Sequence, residues 1–476
     1  MKDILEGSAT ELSAAIHARK VAPSEVMAAW LAQVQAVNGA VNAIVSLRDP
    51  DDLIAEARAM DDVPPQGWLH GIPLPVKDLV ATNGLRTTWG APLYASHLPA
   101  KDDILAARMR GAGAIFPGKT NVPEWGQGSH SFNPVFGVTR NPYDLTRSAG
   151  GSSGGAAAAL ATRMAWVADG SDMMGSLRNP AGFCNVYGFR PTWGLVPSDA
   201  EGDTYLSTLA TEGPMARTIE DLARLLLVQA GENPEVPFPR AVPDLLSGLN
   251  RGVRGLRIGW LGDWGGAYPM EPGILDSCEA ALMQLQDLGA TVEHMPPPFP
   301  AEKLWTSWVT LRAMLNAGGK RALAEDPAKR ALTKPETLWE IEQGLGLSAQ
   351  AVYEASVIRS RWHAHAARLF QSYDAVVLPT AQVWPFPADW RWPEQIAGQK
   401  MDTYHRWMEV VVPASLIGLP ALSVPVGFSP EGLPSGMQII GRSGDDAGVL
   451  AIGEAYHRAT GWPQKRPPLV PATVSR

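Results

Sequence analysis

The chain has 476 residues, 45% of them apolar and 18% charged. That is enough to bury a large core and, by length alone, to form roughly two to four domains or one large α/β unit. A net charge of −8, a pI near 5.7 and no Lys/Arg stripe argue against a nucleic-acid partner.

Other classes fall away quickly. Cys184 and Cys278 are too few to frame a chain of this length, so they read as reduced thiols. The start, Met1-Lys2-Asp3-Ile4-Leu5-Glu6, is acidic where a signal peptide is basic and then apolar. No apolar run approaches the ~20 residues of a membrane span. A cytoplasmic location and no membrane contact are therefore expected.

In chain order, residues 8–36 predict two helices. Ser8-Ala-Thr-Glu11 has capping-box spacing, and Leu12, Ala15 and Ile16 share a face. Pro23-Ser24-Glu25 opens a second helix carrying Val26, Trp30, Leu31 and Val34. A helical segment is expected over about 8–60, closed by a loop at 60–68 with Pro64-Pro65. From about 70, short apolar runs alternate with helical stretches. Leu74–Val76, Ala114–Phe116, Ala165–Ala168, Leu256–Trp260, Ala375–Leu378 and Ala421–Val424 read as strands. Ile104–Arg110, Leu222–Ala230 and Cys278–Leu288 read as helices. The alternation predicts an α/β fold with a large mixed, mostly parallel sheet flanked by helices. No repeat or linker divides the chain, so one domain over 1–476 is expected. Eight of the 17 tryptophans fall within 295–410. They either pack a helical layer or build an aromatic pocket or lid.

Four segments bear on chemistry. Gly113–Thr120 fits the pattern GxxxxGK[ST], but Ala-Ile-Phe-Pro fills its middle. Pro117 has no N–H for a phosphate, so the match is rejected. Ala149-Gly-Gly-Ser152-Ser153-Gly-Gly155 runs straight into Ala156–Ala161, which suits a tight turn at a helix start better than a linker. Gly170-Ser-Asp172-Met-Met-Gly-Ser176-Leu-Arg178 follows a strand and could present a hydroxyl beside free N–H groups. Lys77, within Gly71-Ile-Pro-Leu-Pro-Val-Lys77-Asp78, either snorkels to the surface or is buried and neutral enough to act as a base. The nine histidines are scattered. No GxSxG elbow and no HExxH metal spacing occurs; no metal and no cofactor are expected.

Together these segments resemble the amidase signature family over nearly the whole chain. Gly118-Lys-Thr-Asn-Val-Pro-Glu124, Asn141-Pro142, Gly188-Phe-Arg-Pro191, Val412–Ala421 and Gly432–Gln438 complete the ordered set. The resemblance implies a mixed sheet and a Ser-Ser-Lys triad. Lys77 would be the base, Ser152 a relay preceded by a cis peptide bond, and Ser176, 24 residues on, the nucleophile. It implies an oxyanion hole at Met173, Met174, Gly175 and Ser176, supported by Gly151, Ser153, Asp172 and Arg178. Trp125, Gln127, Ser129 and Met173 are candidate substrate contacts. The sequence departs from the family pattern at Met174, where a Gly is usual; a positive φ would strain a Met there, and the loop is expected instead to keep its N–H directions while Met173 and Met174 shape the pocket. It departs again at Ser415, usually Asn and expected to be peripheral. The expected activity is hydrolysis of C–N bonds in small apolar or aromatic amides, anilides or carbamates, by a monomer or homodimer. The alternative is the glutaminase subunit of an aminoacyl-tRNA amidotransferase, on the same fold.

Overall fold

A computed structural model describes residues 4–199 and 202–470. At the N-terminus, Ser8 Oγ accepts from the Glu11 N–H at 3.0 Å and Glu11 accepts from the Ser8 N–H at 2.9 Å. This box opens the helix Ala9–His17. Pro23–Val41 and Pro50–Ala59 follow, and the Trp30 indole N–H donates to Met164 O at 2.7 Å. The helical segment thus clamps onto the body of the protein.

The body is built on an eight-stranded sheet. Its order across the molecule is Thr291–His294, Arg257–Trp260, Ala375–Pro379, Pro434–Ile440, Ala421–Phe428, Tyr187–Arg190, Thr211–Ala216 and Val167–Asp172. The mixed sheet and its flanking helices match expectation, but the parallel bias does not. Only the two pairings made by Arg257–Trp260 are parallel, and the other five are antiparallel. The reason lies in three strands that apolar runs do not reveal. Tyr-Gly-Phe-Arg, Thr-Glu-Gly-Pro-Met-Ala and Pro-Ser-Gly-Met-Gln-Ile-Ile carry the Gly and Pro that ordinarily demote a strand. Here the glycines allow close approach: a Cβ on Gly213 would meet Phe189 O at 2.3 Å. Ala114–Phe116 is also not a ladder strand; it contributes a single bridge, Ile115 to Pro73.

Both sheet faces are covered, and residue alternation sorts the core between them. Val377, Leu422 and Ile439 point into a core shared with the N-terminal helices and with Ile219–Gln229, Ile274–Asp287 and Asp446–Thr460. Val376, Leu378, Ala421 and Ile440 point into a second core. Over that second face lie the helices Ala301–Glu325, Pro335–Leu345 and Ala349–Leu369. The tryptophans of 295–410 belong to this layer. Trp305, Trp308, Trp362 and Trp407 are buried in it, while Trp390 is half exposed. Packing accounts for these four, whereas Trp339 and Trp392 line a surface cavity beside Tyr404.

A three-stranded sheet, Ile44–Val45, Lys119–Thr120 and Val76–Lys77, abuts the Val167–Asp172 edge. At the junction the Lys77 N–H donates to the Asp169 carboxylate at 3.0 and 3.2 Å. A side chain takes the place of a ladder partner, which keeps this edge N–H satisfied. The helix Gly154–Ala161 packs so tightly on residue 121 that a Cβ on Gly155 would sit 2.2 Å from Asn121 N. Gly155→Ala should therefore destabilise the protein by about 1–3 kcal/mol, read as a lowered thermal midpoint against wild type.

Candidate active site

Lys77 is fully buried. Its Nζ lies 2.9 Å from Ser152 Oγ, 2.8 Å from Ser153 Oγ and 2.9 Å from Ser171 Oγ. The snorkelling alternative is thereby excluded. Three hydroxyls replace water around the amine but bring no charge to oppose it, so desolvation prevails over the nearby Glu212, Asp169 and Asp172. The ammonium is lowered to about 8. Ser171 lies inside the segment 170–178, and its place one residue before Asp172 is the signal that could have singled it out.

The turn bearing Ser152 is held from several sides. The Gly151–Ser152 peptide bond is cis. Ser129 Oγ donates to Gly151 O at 2.5 Å, and Ser131 N–H donates to Gly150 O at 3.0 Å. Ser129 is thus a strut for this peptide rather than a substrate contact. His130, buried and lowered to about 4 by desolvation, is neutral. Its Nε2 meets Ala388 O at 3.1 Å and its Nδ1 meets Ser148 Oγ at 2.7 Å. A neutral ring next to a carbonyl carries its proton on Nε2, so Nδ1 accepts from Ser148. Ser153 sits where a serine would ordinarily cap the following helix. Its hydroxyl goes to Lys77 instead, and Ser131 Oγ caps the Gly154 N–H at 3.1 Å.

Ser176 stands on the loop after Val167–Asp172 and opens onto the same cavity as Ser152. Its carbonyl accepts from the Ser153 N–H at 3.2 Å, tying the two serine segments together. Asp172 shapes this loop. Its carboxylate accepts from the N–H groups of Gly175 at 2.9 Å and Leu177 at 3.2 Å. It also receives Arg178 Nε at 3.0 Å, Arg178 Nη2 at 2.9 Å and Arg190 Nη1 at 3.1 Å. Burial alone would raise this carboxyl, but the Arg178 and Arg190 charges outweigh it and hold it well below the usual range.

Two expectations change here. The Gly175 N–H is committed to Asp172, so it is not aimed at a substrate oxygen. Among the described residues, the N–H groups of Met173, Met174 and Ser176 remain without a partner. The left-handed position of the loop is Gly175, at φ +80°, and not Met174. A Cβ at Gly175 would lie 2.2 Å from Asn179 Oδ1, whereas Met174 is accommodated without strain and its Sδ accepts the Trp308 indole N–H at 3.2 Å. Ser415 is not peripheral either: its Oγ accepts from Arg178 Nη2 at 2.6 Å, while Gln438 Oε1 takes Arg178 Nη1 at 2.6 Å.

The cavity has three kinds of wall. Leu79, Trp125, Met173, Met174 and Met408 make an apolar side. Gln127, with Arg312, Asn316 and Lys320 of the long helix, makes a polar end. Glu212 stands beside Ser152 and Ser171. Its carboxyl is pushed up to about 8 by desolvation, and its Oε2 is buried without a hydrogen-bond partner. Trp125 and Gln127 therefore line the cavity as expected, Ser129 does not, and none of the eight tryptophans of 295–410 does. Glu212 and the helix residues gave no motif signal, because they reach the site only through the fold. Lys119 of the rejected phosphate pattern is buried against Val80 O and Thr82 Oγ1, at 2.6 and 2.7 Å. Burial pushes both cysteine thiols up. Among the described residues, no group of three His, Cys, Asp or Glu could hold a metal ion.

Asp172→Asn should cost about 3–5 kcal/mol, because two buried guanidinium groups lose their counter-charge; differential scanning calorimetry at neutral pH reads the loss. A carboxyl whose value is depressed on folding contributes stability above its ordinary 3.8 and loses it as pH falls below that. The gap between wild type and the variant should therefore narrow only in strong acid.

Comparison with known proteins agrees with this geometry. The Amidase family pattern matches residues 25–450. The chain is 35% identical to the A-type subunit of a glutamyl-tRNA(Gln) amidotransferase from Chloroflexus aurantiacus, over 99% of this chain and 100% of that one. It is 32% identical to an acylamidase of Rhodococcus erythropolis, over 97% of both chains. The structure superposes on a bacterial aryl acylamidase of the amidase signature family with a TM-score of 0.90 and 30% identity, covering 96% of this chain and 97% of that one. A 6-aminohexanoate cyclic dimer hydrolase superposes with a TM-score of 0.86 and 25% identity, over 98% and 99% of the chains. A buried lysine ringed by serine hydroxyls, a serine on an Asp-Arg-braced loop and a match that runs almost end to end place this chain in the amidase signature family of C–N hydrolases.

Proposed function

We propose that the protein hydrolyses small amides, aryl anilides or carbamates through a covalent Ser176 intermediate. The observation that carries this reading is Lys77 Nζ, fully buried and 2.9 Å from Ser152 Oγ, behind the cavity that Ser152 and Ser176 both line. Neutral Lys77 accepts the Ser152 proton as Ser152 accepts the proton of Ser176. The Ser176 oxygen then bonds the substrate carbonyl carbon. The N–H groups of Met173, Met174 and Ser176 hold the resulting oxyanion, at about 3–4 kcal/mol for each well-aimed donor. Collapse breaks the C–N bond, and Ser152 delivers its proton to the departing nitrogen while regaining one from Lys77. Water repeats the path on the acyl- or carbamoyl-enzyme. The apolar wall from Leu79 to Met408 suits an aryl or alkyl group, in keeping with the aryl acylamidase among the structural neighbours.

The second reading, a glutaminase component of a larger amidotransferase, is favoured by the 35% identity to the Chloroflexus protein. It requires ammonia release from glutamine that appears only when partner proteins are added. Hydrolysis of an anilide by the isolated chain at a rate matching or exceeding that of glutamine decides for the first reading.

The nucleophile is testable without the natural substrate. A small sulfonyl fluoride should add once, at Ser176, as mapped by intact-mass and peptide mass spectrometry. Lys77→Ala should slow the addition by ~10²–10⁴-fold. An adduct elsewhere, or an unchanged rate, contradicts the assignment.

The base makes its own prediction. The ammonium form of Lys77 is inactive, so kcat/KM should rise with pH and level off above the lowered value of about 8. Glu212 favours the ammonium, so Glu212→Gln should move this rise to lower pH, in a pH-rate profile on an anilide. A rise that stays in place shows that Glu212 does not share the Lys77 titration.

A further inference from the structure

The polar end of the cavity sets two cations, Arg312 and Lys320, against one carboxylate, Glu340. Arg312, Asn316 and Lys320 follow one another at four-residue spacing on the helix Ala301–Glu325 and so share a face. Arg312 is matched: its Nε meets Glu340 Oε1 at 2.7 Å, and its Nη2 donates to Tyr404 Oη at 3.0 Å. Glu340 is then fully used, since Tyr404 also donates to Oε1 and Asn316 donates to Oε2. Lys320 receives no carboxylate among the described residues. Its Nζ donates to Asn316 Oδ1 at 2.7 Å, and that same oxygen already accepts Gln127 Nε2 at 2.9 Å. Desolvation lowers the ammonium to about 8; Glu340 opposes that shift, and Arg312 and Lys334 add to it. Glu340 carries one charge against the two of Arg312 and Lys320, so this partly buried end keeps a net positive charge that an anion would answer. At least one of its three N–H bonds is left for an acceptor in the cavity.

We infer that Lys320 is a specificity-determining residue that binds an anionic group, a carboxylate, carried by the substrate away from its scissile carbonyl. This rests on the amidase reading and narrows it. The preferred substrate is an amide or anilide with an apolar body, which lies along Met173, Met174 and Trp125, and an acidic end, which meets Lys320 beside Gln127 and Asn316. Arg312 flanks this point, and its Nη1 reaches the cavity at Met173 Sδ, 3.2 Å away. Glu340 offsets Arg312, so the surplus positive charge of the subsite resides on Lys320.

The test uses the whole chain and two kinds of aryl sulfonyl fluoride: one with a carboxylate at ring position 3 or 4, and its methyl counterpart. The readout is the ratio of their labelling rates at Ser176, so that intrinsic reactivity cancels when wild type and variant are compared. Lys320→Met should lower the carboxylate-to-methyl ratio about tenfold or more, the worth of one charge-assisted hydrogen bond, and Lys320→Arg should keep most of it. Lys320→Gln serves if the Met variant melts below the assay temperature. Labelling by both reagents with the same ratio in wild type and in the variants, at both ring positions, overturns the inference and leaves the amidase reading standing. Absence of any Ser176 adduct from either reagent overturns both.

Discussion

The Asp172 carboxylate is the interaction on which the site depends. It joins the end of a sheet strand to two backbone N–H groups of the following loop and to two buried guanidinium groups. A buried carboxylate is tolerated only when its charge and lone pairs are fully answered, and here five donors answer it. The geometry of Ser176 follows from that satisfaction. The loop turns at Gly175 because its N–H must reach Asp172, and the remaining N–H groups are left free as a result. Through Arg178 the same constraint spreads to Gln438 and Ser415, so a strand and a short helix distant in sequence are tied to a single loop.

Lys77 presents the opposite arrangement. Its side chain meets hydroxyls and a carbonyl but no carboxylate at salt-bridge distance among the described residues. Asp169 gives both oxygens to the Lys77 backbone N–H rather than to the amine. Asp172 is answered by arginines. Glu212, itself raised by desolvation to about 8, favours the ammonium where it is ionised. The acids act on the amine only across space, and desolvation outweighs them. On the proposed mechanism, an amine that accepts a proton is thereby kept basic enough to react but not so charged that it cannot.

Much of this was legible in the sequence, for identifiable reasons. Lys77, Ser152, Ser153, Asp172, Ser176 and Arg178 lie within short segments that stand out locally, and the family resemblance joined those segments into one site. The strands at 257–260, 375–379 and 421–428 announced themselves as apolar runs buried on both faces. The strands at 187–190, 211–216 and 434–440 did not, because each carries a glycine that allows close packing inside the sheet. Ser129 and Ser415 have roles that sequence reasoning misses, because motif position does not reveal where a hydroxyl points. Glu212, Arg312, Asn316 and Lys320 were out of reach, since they meet the cavity only through tertiary packing.

The cavity residues of the long helix have a consequence of another kind. Their spacing of four places them on a single stripe, while the tryptophans of the same helix, Trp305 and Trp308, anchor it in the second core. Trp308 begins the same stripe, four residues before Arg312, so core packing and cavity wall share one face of the rod. Arg312 and Asn316 are bound to the buried Glu340, and replacing either would loosen the packing along with the lining. Lys320, farther along and only partly buried, is a removable tile: it can be exchanged while the wall behind it stays standing.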